Sequence, residues 1–468
     1  MSLISPTTAL IAFMGLVAIA GPGAMADEIQ AGGDPAPVSN SAADLWNSYF
    51  IARELGERDE ALALAMRLRD AVLAQHGAVS EDYGMALTEV GISRLLVGEH
   101  GPAFADLTAA EGLLKERLPL YSQKLIRAMT FLGAALHSQD RFEEALDAYS
   151  RAQHISHRIW GADNDTQIPI TYAKAATLQA LGSIEGADKQ YGLGWKLNRK
   201  QFGVASPQAI AAAARYGTWL RSVGEYDAAI SLFHDAISEV QADGVDQPIA
   251  LPLLRGMAHA YRGGHRGKHA RGMYQRIIRL MDREPGAFSV DQKMDVRLAF
   301  GDWLMQRYFE KPAVAQYEAA WVIARDAGPD GAHWLAQFEQ PQLVRYGEMS
   351  PTDLTGDSEP VTFEYEITQD GRIKRPRVVE SSASSRASSR ARKRFPELTR
   401  FRPAVVDGQA QGEAVVTTTM FLLPAGVAIE PAPIAAPKRL TVGPTAGVAA
   451  WTLLRQDQVS SAEVAIKD

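Results

Sequence analysis

Cysteine is absent from all 468 residues of the chain. The sequence can therefore form no disulfide, no thiolate zinc site and no cysteine nucleophile. A large excess of charge of either sign is also missing, because 48 basic and 55 acidic side chains leave a net charge of only −7. Proteins that bind nucleic acid along their whole length are normally basic, so this balance argues against that class. With 46% apolar and 22% charged residues, the composition is that of an ordinary globular protein.

Catalytic motifs are missing as well. The sequence contains no G-x-S-x-G, no P-loop, no H-E-x-x-H and no dinucleotide-binding fingerprint. Two histidine pairs have helical spacing, His154 with His157 and His265 with His269, but neither has a third ligand at a motif spacing. We therefore expect no enzymatic activity, no bound metal and no cofactor.

One apolar run near the start of the chain suggests a targeting segment. Residues 10–20 are apolar and uncharged, and Ala-Met-Ala follows at 24–26. This order is typical of a signal peptide, although no Lys or Arg precedes the apolar run. The run is shorter than the roughly 20 residues that span a bilayer. We expect residues 1–26 to be a signal peptide cleaved near Ala26 and the protein to be periplasmic; a retained anchor is the alternative.

A repeat of about 42 residues fills the middle of the chain. Its marker is a turn followed by an alanine, which recurs four times at intervals of 42 and then at intervals of 41 and 43. In six of the seven repeats a small residue lies twelve positions before the alanine, and in most repeats an aromatic residue lies four positions after it. Such a period indicates an array of repeated helix pairs. The alanines are Ala61, Ala103, Ala145, Ala187, Ala229, Ala270 and Ala313.

The pattern predicts two helices, A and B, in each repeat, joined by a tight turn. The small residues are expected where the two helices cross, because a larger side chain would push the backbones apart. The aromatic residue on helix B is expected to fill the space toward the next repeat.

These positions resemble the tetratricopeptide repeat (TPR), through the order of Gly133, Ala145, Tyr149 and Ala152. The usual TPR period is about 34 residues. The longer period here resembles the TPR variety found in kinesin light chains, whereas HEAT-type repeats lack this order of residues. The resemblance implies a mainly α fold, with a linker at 27–42 and a right-handed α-solenoid of about seven repeats at 43–346.

In a TPR solenoid the A helices line the curved inner face. By register, that face is expected to carry four arginines, and guanidinium groups bind carboxylates in a forked geometry. The arginines would therefore suit an acidic or C-terminal peptide; the alternative is that they are solvated helix positions. The predicted partner-binding residues are Arg127, Thr130, His137, Tyr172, Gln179, Thr218, Arg221, Arg255, His259, Arg262 and Asp302.

The hydrophobic period changes after residue 346. A polar segment rich in Pro, Gly and Ser, at 347–360, is predicted to be a linker. Apolar and polar residues then alternate from 361 to 367, which predicts a strand. A turn, a basic return strand, a Ser/Arg-rich helix and a last strand follow. The sequence thus predicts a small α+β domain of order β-β-α-β at 361–423.

This segment resembles the C-terminal domain of TonB-family proteins. The matching landmarks are the Asp-Gly pairs at 370–371 and 407–408, VVES at 378–381, FRPA at 401–404 and the last strand. In that family the domain is periplasmic and pairs with a segment of an outer-membrane receptor by strand addition. The resemblance implies that the last strand binds a partner through Val415, Val416, Thr417, Thr418, Thr419, Met420 and Phe421.

Two features depart from a TonB energy transducer, which keeps an N-terminal transmembrane helix and carries a Pro-rich spacer. This chain has a predicted cleavage site and a helical array in their places. The sequence therefore predicts a non-enzymatic protein–protein interaction scaffold of the bacterial cell envelope, with envelope proteins or peptides as partners. A component of TonB-dependent outer-membrane transport is the alternative, and nucleic acid is not an expected partner.

Charge is unevenly distributed along the chain. Residues 361–423 have a net charge of +4, so the remainder has −11. This basic module is expected to make peripheral contact with membrane or cell wall; a solvated helix surface is the alternative. Residues 424–468 are expected to be a Pro/Ala-rich linker and a poorly ordered tail.

Overall fold

A computed structural model of the chain describes residues 41–241, 244–345, 359–383, 385–412 and 414–422. These residues fall into two compact units, divided between Met273 and Tyr274. Sixteen α-helices and seven β-strands lie within them. The prediction of a mainly α chain with a small β-rich C-terminal region is confirmed at that level. The predicted signal peptide and the predicted tail lie outside the described residues.

The first unit consists of successive helix pairs, and helix α12 crosses into the second. The helices are α1 (Ala42–Leu55), α2 (Arg58–His76), α3 (Glu81–Val97), α4 (His100–Arg117), α5 (Gln123–His137), α6 (Phe142–Trp160), α7 (Gln167–Ala180), α8 (Ile184–Phe202), α9 (Pro207–Ser222), α10 (Tyr226–Val240), α11 (Leu251–Gly263) and α12 (Gly267–Arg283). The seventh pair, α13 (Val290–Gln306) with α14 (Glu310–Asp326), lies in the second unit. The odd-numbered helices up to α13 are the A helices.

The same turn ends the A helix of all seven pairs. The residue five positions before the repeat alanine has a positive φ, and the next backbone N–H donates to the carbonyl five residues earlier. This bond satisfies one of the carbonyls left open at a helix end. Glycine occupies the positive-φ position in four turns, whereas Asp140, His265 and Tyr308 occupy it in the others.

Close helix crossing explains the small residue and the alanine of the repeat. All seven repeat alanines are buried. A Cβ placed on Gly217 of α9 would lie 2.2 Å from the ring of Phe233 on α10. The same ring also lies against Gly256 of α11, where a Cβ would approach it to 2.3 Å. The aromatic ring therefore fills the crossing within its own pair as well as the predicted space toward the next repeat.

The second unit continues from α14 into a small β-rich region. Helix α15 (Ala332–Leu335) and strand β1 (Gln342–Arg345) come first. The other strands are β2 (Glu359–Ile367), β3 (Ile373–Ser381), β4 (Arg400–Arg402), β5 (Val405–Val406), β6 (Gln409–Ala410) and β7 (Ala414–Leu422), and α16 (Ser385–Leu398) lies between β3 and β4. Strands β2, β3 and β7 form an antiparallel sheet of order β3-β2-β7, β1 pairs with β4, and β5 pairs with β6.

One face of the sheet is covered by α16. Phe395 of that helix stacks on Phe363 of β2 at 4.9 Å and meets Tyr365 edge-on at 5.1 Å. The predicted β-β-α-β order is therefore present, with short strands added to it. Strand β1 is one of these additions: the sequence placed its residues in the helical array, but they pair with β4 beyond the predicted linker.

Candidate partner-binding surfaces

Three of the eleven residues predicted to face a partner are buried between helices. Thr130 donates to the carbonyl of Ile126 at 2.6 Å. The Nδ1 atom of His137 lies 2.9 Å from the hydroxyl of Thr177, and burial lowers the pKa of this histidine. Burial also raises the pKa of Tyr172 to about 12. In the folded chain, these three side chains contact neighbouring helices of the same chain.

Arg127 is engaged by a buried acid that the sequence analysis did not single out. Its Nε and Nη2 atoms donate to the two carboxylate oxygens of Glu89 at 2.7 and 2.8 Å. The hydroxyl of Tyr49 donates to the same carboxylate at 2.7 Å, and Arg53 lies 3.5 Å from it. Glu89 is only 4% exposed. The network therefore joins the A helices of the first three repeats, α1, α3 and α5.

The electrostatics of Glu89 follow from these contacts. Burial alone would raise its pKa, but the charge and hydrogen bonds of Arg127, with help from Arg53 and Tyr49, lower it below 4.5. Glu89 is thus ionised at neutral pH in spite of its burial. A buried carboxylate is tolerated when it is paired and hydrogen-bonded in this way.

Four other predicted residues come together on neighbouring A helices. Arg255, His259 and Arg262 follow a spacing of four and three residues, which places them on one side of α11. Arg221 lies in the last turn of α9, which packs against α11. Burial, followed by the charges of Arg221, Arg262 and Arg255, lowers the pKa of His259 to about 4. The histidine is therefore neutral at pH 7 among three guanidinium groups, and all four side chains are half-buried. We call this set the arginine cluster.

Helices α7, α8 and α9 share a set of buried aromatic side chains, Tyr172, Tyr191 and Trp219. Tyr191 of α8 stacks on Trp219 of α9 with ring centroids 5.2 Å apart, and its hydroxyl lies 3.3 Å from the side-chain oxygen of Gln179. Arg215 lies 4.5 Å over the ring of Tyr172. Gln179, one of the predicted residues, is exposed, whereas Arg215 and Trp219 are not among the residues predicted from sequence. Their positions alone carried no signal, because arginine and aromatic residues occur on both helix types.

Thr218 of the predicted set is exposed on α9. Asp302, the last of the set, lies in the second unit and is engaged by the chain itself. It accepts from the hydroxyl of Tyr317 at 2.9 Å and from Nη2 of Arg402 at 2.9 Å. Because Arg402 belongs to β4, the partner-facing position of the final repeat is occupied by the C-terminal region.

The two edges of the three-stranded sheet differ. Strand β3 has two irregularities in its pairing with β2, a positive φ at Arg375 and a proline at 376. Strand β7 pairs with β2 through nine consecutive residues without a register shift. Within the described residues, no strand pairs with the outer edge of β7. All seven residues predicted for strand addition lie in β7; Val416 is buried and Val415 is exposed.

Metal-binding clusters and membrane-spanning helices are absent from the part of the chain that the structure describes. No group of three or more His, Asp or Glu side chains there could hold a metal ion. None of the described helices combines the length and apolar character that crossing a bilayer requires.

Comparison with known proteins gives likenesses to solved structures, among them TPR-like repeat proteins. No family model and no curated protein matches the sequence. A kinesin light chain of Podosopora anserina with TPR-like repeats is 14% identical, with a TM-score of 0.37 over 42% of this chain and 95% of that one. A tetratricopeptide repeat protein of Parabacteroides merdae is 15% identical, with a TM-score of 0.37 over 61% and 94%. The apo form of RapI is 11% identical, with a TM-score of 0.44 over 63% and 79%. The first two of these structures contain TPR or TPR-like repeats. The helix pairing of this chain is established by its own contacts.

Proposed function

We propose that the protein is a non-enzymatic scaffold that binds other proteins through its A helices. The observation that carries this proposal is the arginine cluster, in which residues from two neighbouring repeats approach one another. Exposed or half-buried guanidinium groups on a shared surface are typical of carboxylate recognition.

The ligand best suited to this surface is an acidic or C-terminal peptide. Arginine forks pair with carboxylates bidentately, which gives both strength and orientation. The stacked rings of Tyr191 and Trp219 are only 9% and 4% exposed, so they pack helices α8 and α9 together and do not contact the peptide. Helical repeats suit this function, because consecutive A helices can contact successive residues of an extended ligand.

A binding experiment on the full chain tests the proposal. A fluorescently labelled peptide rich in Asp and Glu should bind more tightly than a Lys-rich peptide of the same length, as measured by anisotropy at low salt. Replacing Arg255 and Arg262 with Gln should weaken acidic-peptide binding by at least about tenfold, or roughly 1.4 kcal/mol. The matched control is Arg117→Gln, an exposed arginine on α4, which should leave the affinity unchanged. Equal binding of both peptides, or an equal loss in control and cluster variants, would contradict the proposal.

The second interaction surface in this proposal is the outer edge of β7. A regular, unbroken edge strand offers a row of backbone donors and acceptors to an added strand. The TonB-like order of landmarks supports this function for 361–423, and the irregular β3 edge supports β7 as the acceptor. The basic module could add peripheral contacts with anionic membrane or cell-wall groups.

We place this scaffold in the periplasm, on the strength of the apolar run and Ala-Met-Ala site at the start of the sequence. The alternative function, in TonB-dependent outer-membrane transport, is favoured by the edge strand β7. The state of the N-terminal segment separates the two. Mass spectrometry that finds an intact Met1 in the inner membrane would favour transport, whereas a mature chain beginning near Asp27 would favour the scaffold.

A further inference from the structure

The turn between α13 and α14 is unlike the other six. Its positive-φ position holds Tyr308, with φ of 62°. Four of the seven equivalent turns have glycine there, and the remaining two have Asp140 and His265. A bulky aromatic residue is disfavoured in the left-handed region, because its Cβ approaches the following carbonyl. Strain of this kind persists only where surrounding contacts hold it, and strained residues are common at functional sites.

Two arginines hold the ring of Tyr308. The guanidinium of Arg345 lies 4.5 Å from the ring centroid, and that of Arg400 lies 4.6 Å from it. Arg345 and Arg400 are cross-strand partners in the β1–β4 pair. The tyrosine therefore contacts both strands of this pair, and cation–π attraction favours each contact.

The two arginines that hold the ring, here called the clamp, also contact helices α13 and α14. Arg345 donates to the backbone carbonyl of Gln306 in α13. Arg400 donates to Glu310, the first residue of α14, at 3.2 Å, and to the carbonyl of Thr399 at 2.8 Å. The side chains of Arg400 and Glu310 are 10% and 8% exposed, so this ion pair is largely shielded from water. The strained turn, the last helix pair and the β1–β4 pair are thus one interlocked set of contacts.

We propose that Tyr308 is a latch that closes the C-terminal module over the final helix pair. The clamp by Arg345 and Arg400 holds the turn in its strained conformation, and the strained turn presents the ring to the clamp. In the closed state, Arg402 pairs with Asp302 and Arg400 pairs with Glu310, two acids of the final repeat. When the latch opens, the turn relaxes and these acids become accessible to a basic extended segment of a partner. This inference goes beyond the scaffold function and does not depend on it.

Hydrogen–deuterium exchange on the full chain tests the latch, with three substitutions at one position. Tyr308→Phe keeps the ring and should leave exchange of the β1 and β4 amides unchanged. Tyr308→Gly and Tyr308→Asn both accept a positive φ but remove the ring, and each should accelerate that exchange by about tenfold or more. Four other turns of this chain have glycine at the same position, so the Gly variant is expected to fold.

The matched control is His265→Gly, at the equivalent position of the α11–α12 turn. It relieves strain in the same way but should leave β1 and β4 exchange at the wild-type rate. The latch is refuted if Tyr308→Gly and Tyr308→Asn exchange like the wild type, since the ring would then hold nothing. It is equally refuted if Tyr308→Phe exchanges as fast as Tyr308→Gly, because the ring contacts would then not be the cause.

Discussion

Replacing Glu89 with Gln should lower the free energy of unfolding by about 3–5 kcal/mol, the usual effect of breaking a buried ion pair by removing one partner. The substitution keeps the volume of the side chain but leaves Arg127 and Arg53 without their counter-charge. The hydroxyl of Tyr49 also loses its carboxylate acceptor. Chemical denaturation followed by circular dichroism measures the change, as a lower midpoint for the first unit.

The matched control is Glu81→Gln on the same helix. Glu81 pairs with Lys124, but the two side chains are 38% and 43% exposed, and exposed pairs contribute about 0–1 kcal/mol. If both variants lose the same small amount of stability, the Glu89 network does not hold the A helices together.

The difference in free energy of unfolding between the wild type and Glu89→Gln should depend on pH in one direction. The pKa of Glu89 is lowered in the folded chain, so its stabilisation is present above 4.5 and is lost as the pH falls below that value. Gln resembles the protonated acid. The gap between wild type and Glu89→Gln should therefore be full at pH 7 and shrink in acid.

The second large effect is expected from Gly217→Ala, which should destabilise the chain by about 2–3 kcal/mol through overpacking. The added methyl group would lie 2.2 Å from the ring of Phe233. That ring is also packed against Gly256, where a Cβ would approach it to 2.3 Å, so it has little room to move away. Either α9 and α10 separate or the ring leaves its position, and thermal unfolding measures the cost.

Gly112→Ala is the opposite case in the same array. Gly112 lies within α4, and a Cβ built on it meets nothing within 4 Å. Alanine is a better helix former than glycine, so this variant should gain about 0.5–1 kcal/mol. Opposite changes in stability in these two glycine-to-alanine variants would show that close helix crossing is the reason for a small residue at the Gly217 position. A gain in both would mean that it does not.

The helical part of the fold is predictable from sequence because its determinants are local and repeated. The turn, the buried alanine and the glycine opposite an aromatic ring recur with one period, so each repeat supports the assignment of the next. The strand order of the C-terminal region is also encoded locally, in alternating residues and Asp-Gly turns. Short strand β1 was missed because its four residues have no pattern of their own and pair with residues far along the chain.

The candidate sites were predictable only in part, because side-chain partners in a repeat array lie on neighbouring repeats. Helical register was enough to place Arg255, His259 and Arg262 on one side of α11. It could not show that Arg127 is bound by Glu89, 38 residues earlier, since many exposed acids lie at similar distances. The pairing of Asp302 with Arg402 spans 100 residues and two kinds of structure. Register on a single helix carries no information about such contacts.

The central claim, that the arginine cluster is an anion-binding surface, is tested most directly by the titration of His259. In the free chain its pKa is about 4, because of burial and three nearby guanidinium groups. A bound carboxylate would offset those charges and raise the pKa toward the ordinary value of about 6.5. Proton uptake on binding then means that affinity increases as the pH falls from 7 toward 4.

Nuclear magnetic resonance of the His259 ring, recorded across this pH range with and without a saturating acidic peptide, gives the answer. The account predicts a pKa raised by at least about one unit in the complex and unchanged by a Lys-rich peptide. A His259 pKa that stays near 4 in the presence of bound acidic peptide would place the ligand elsewhere and contradict the account.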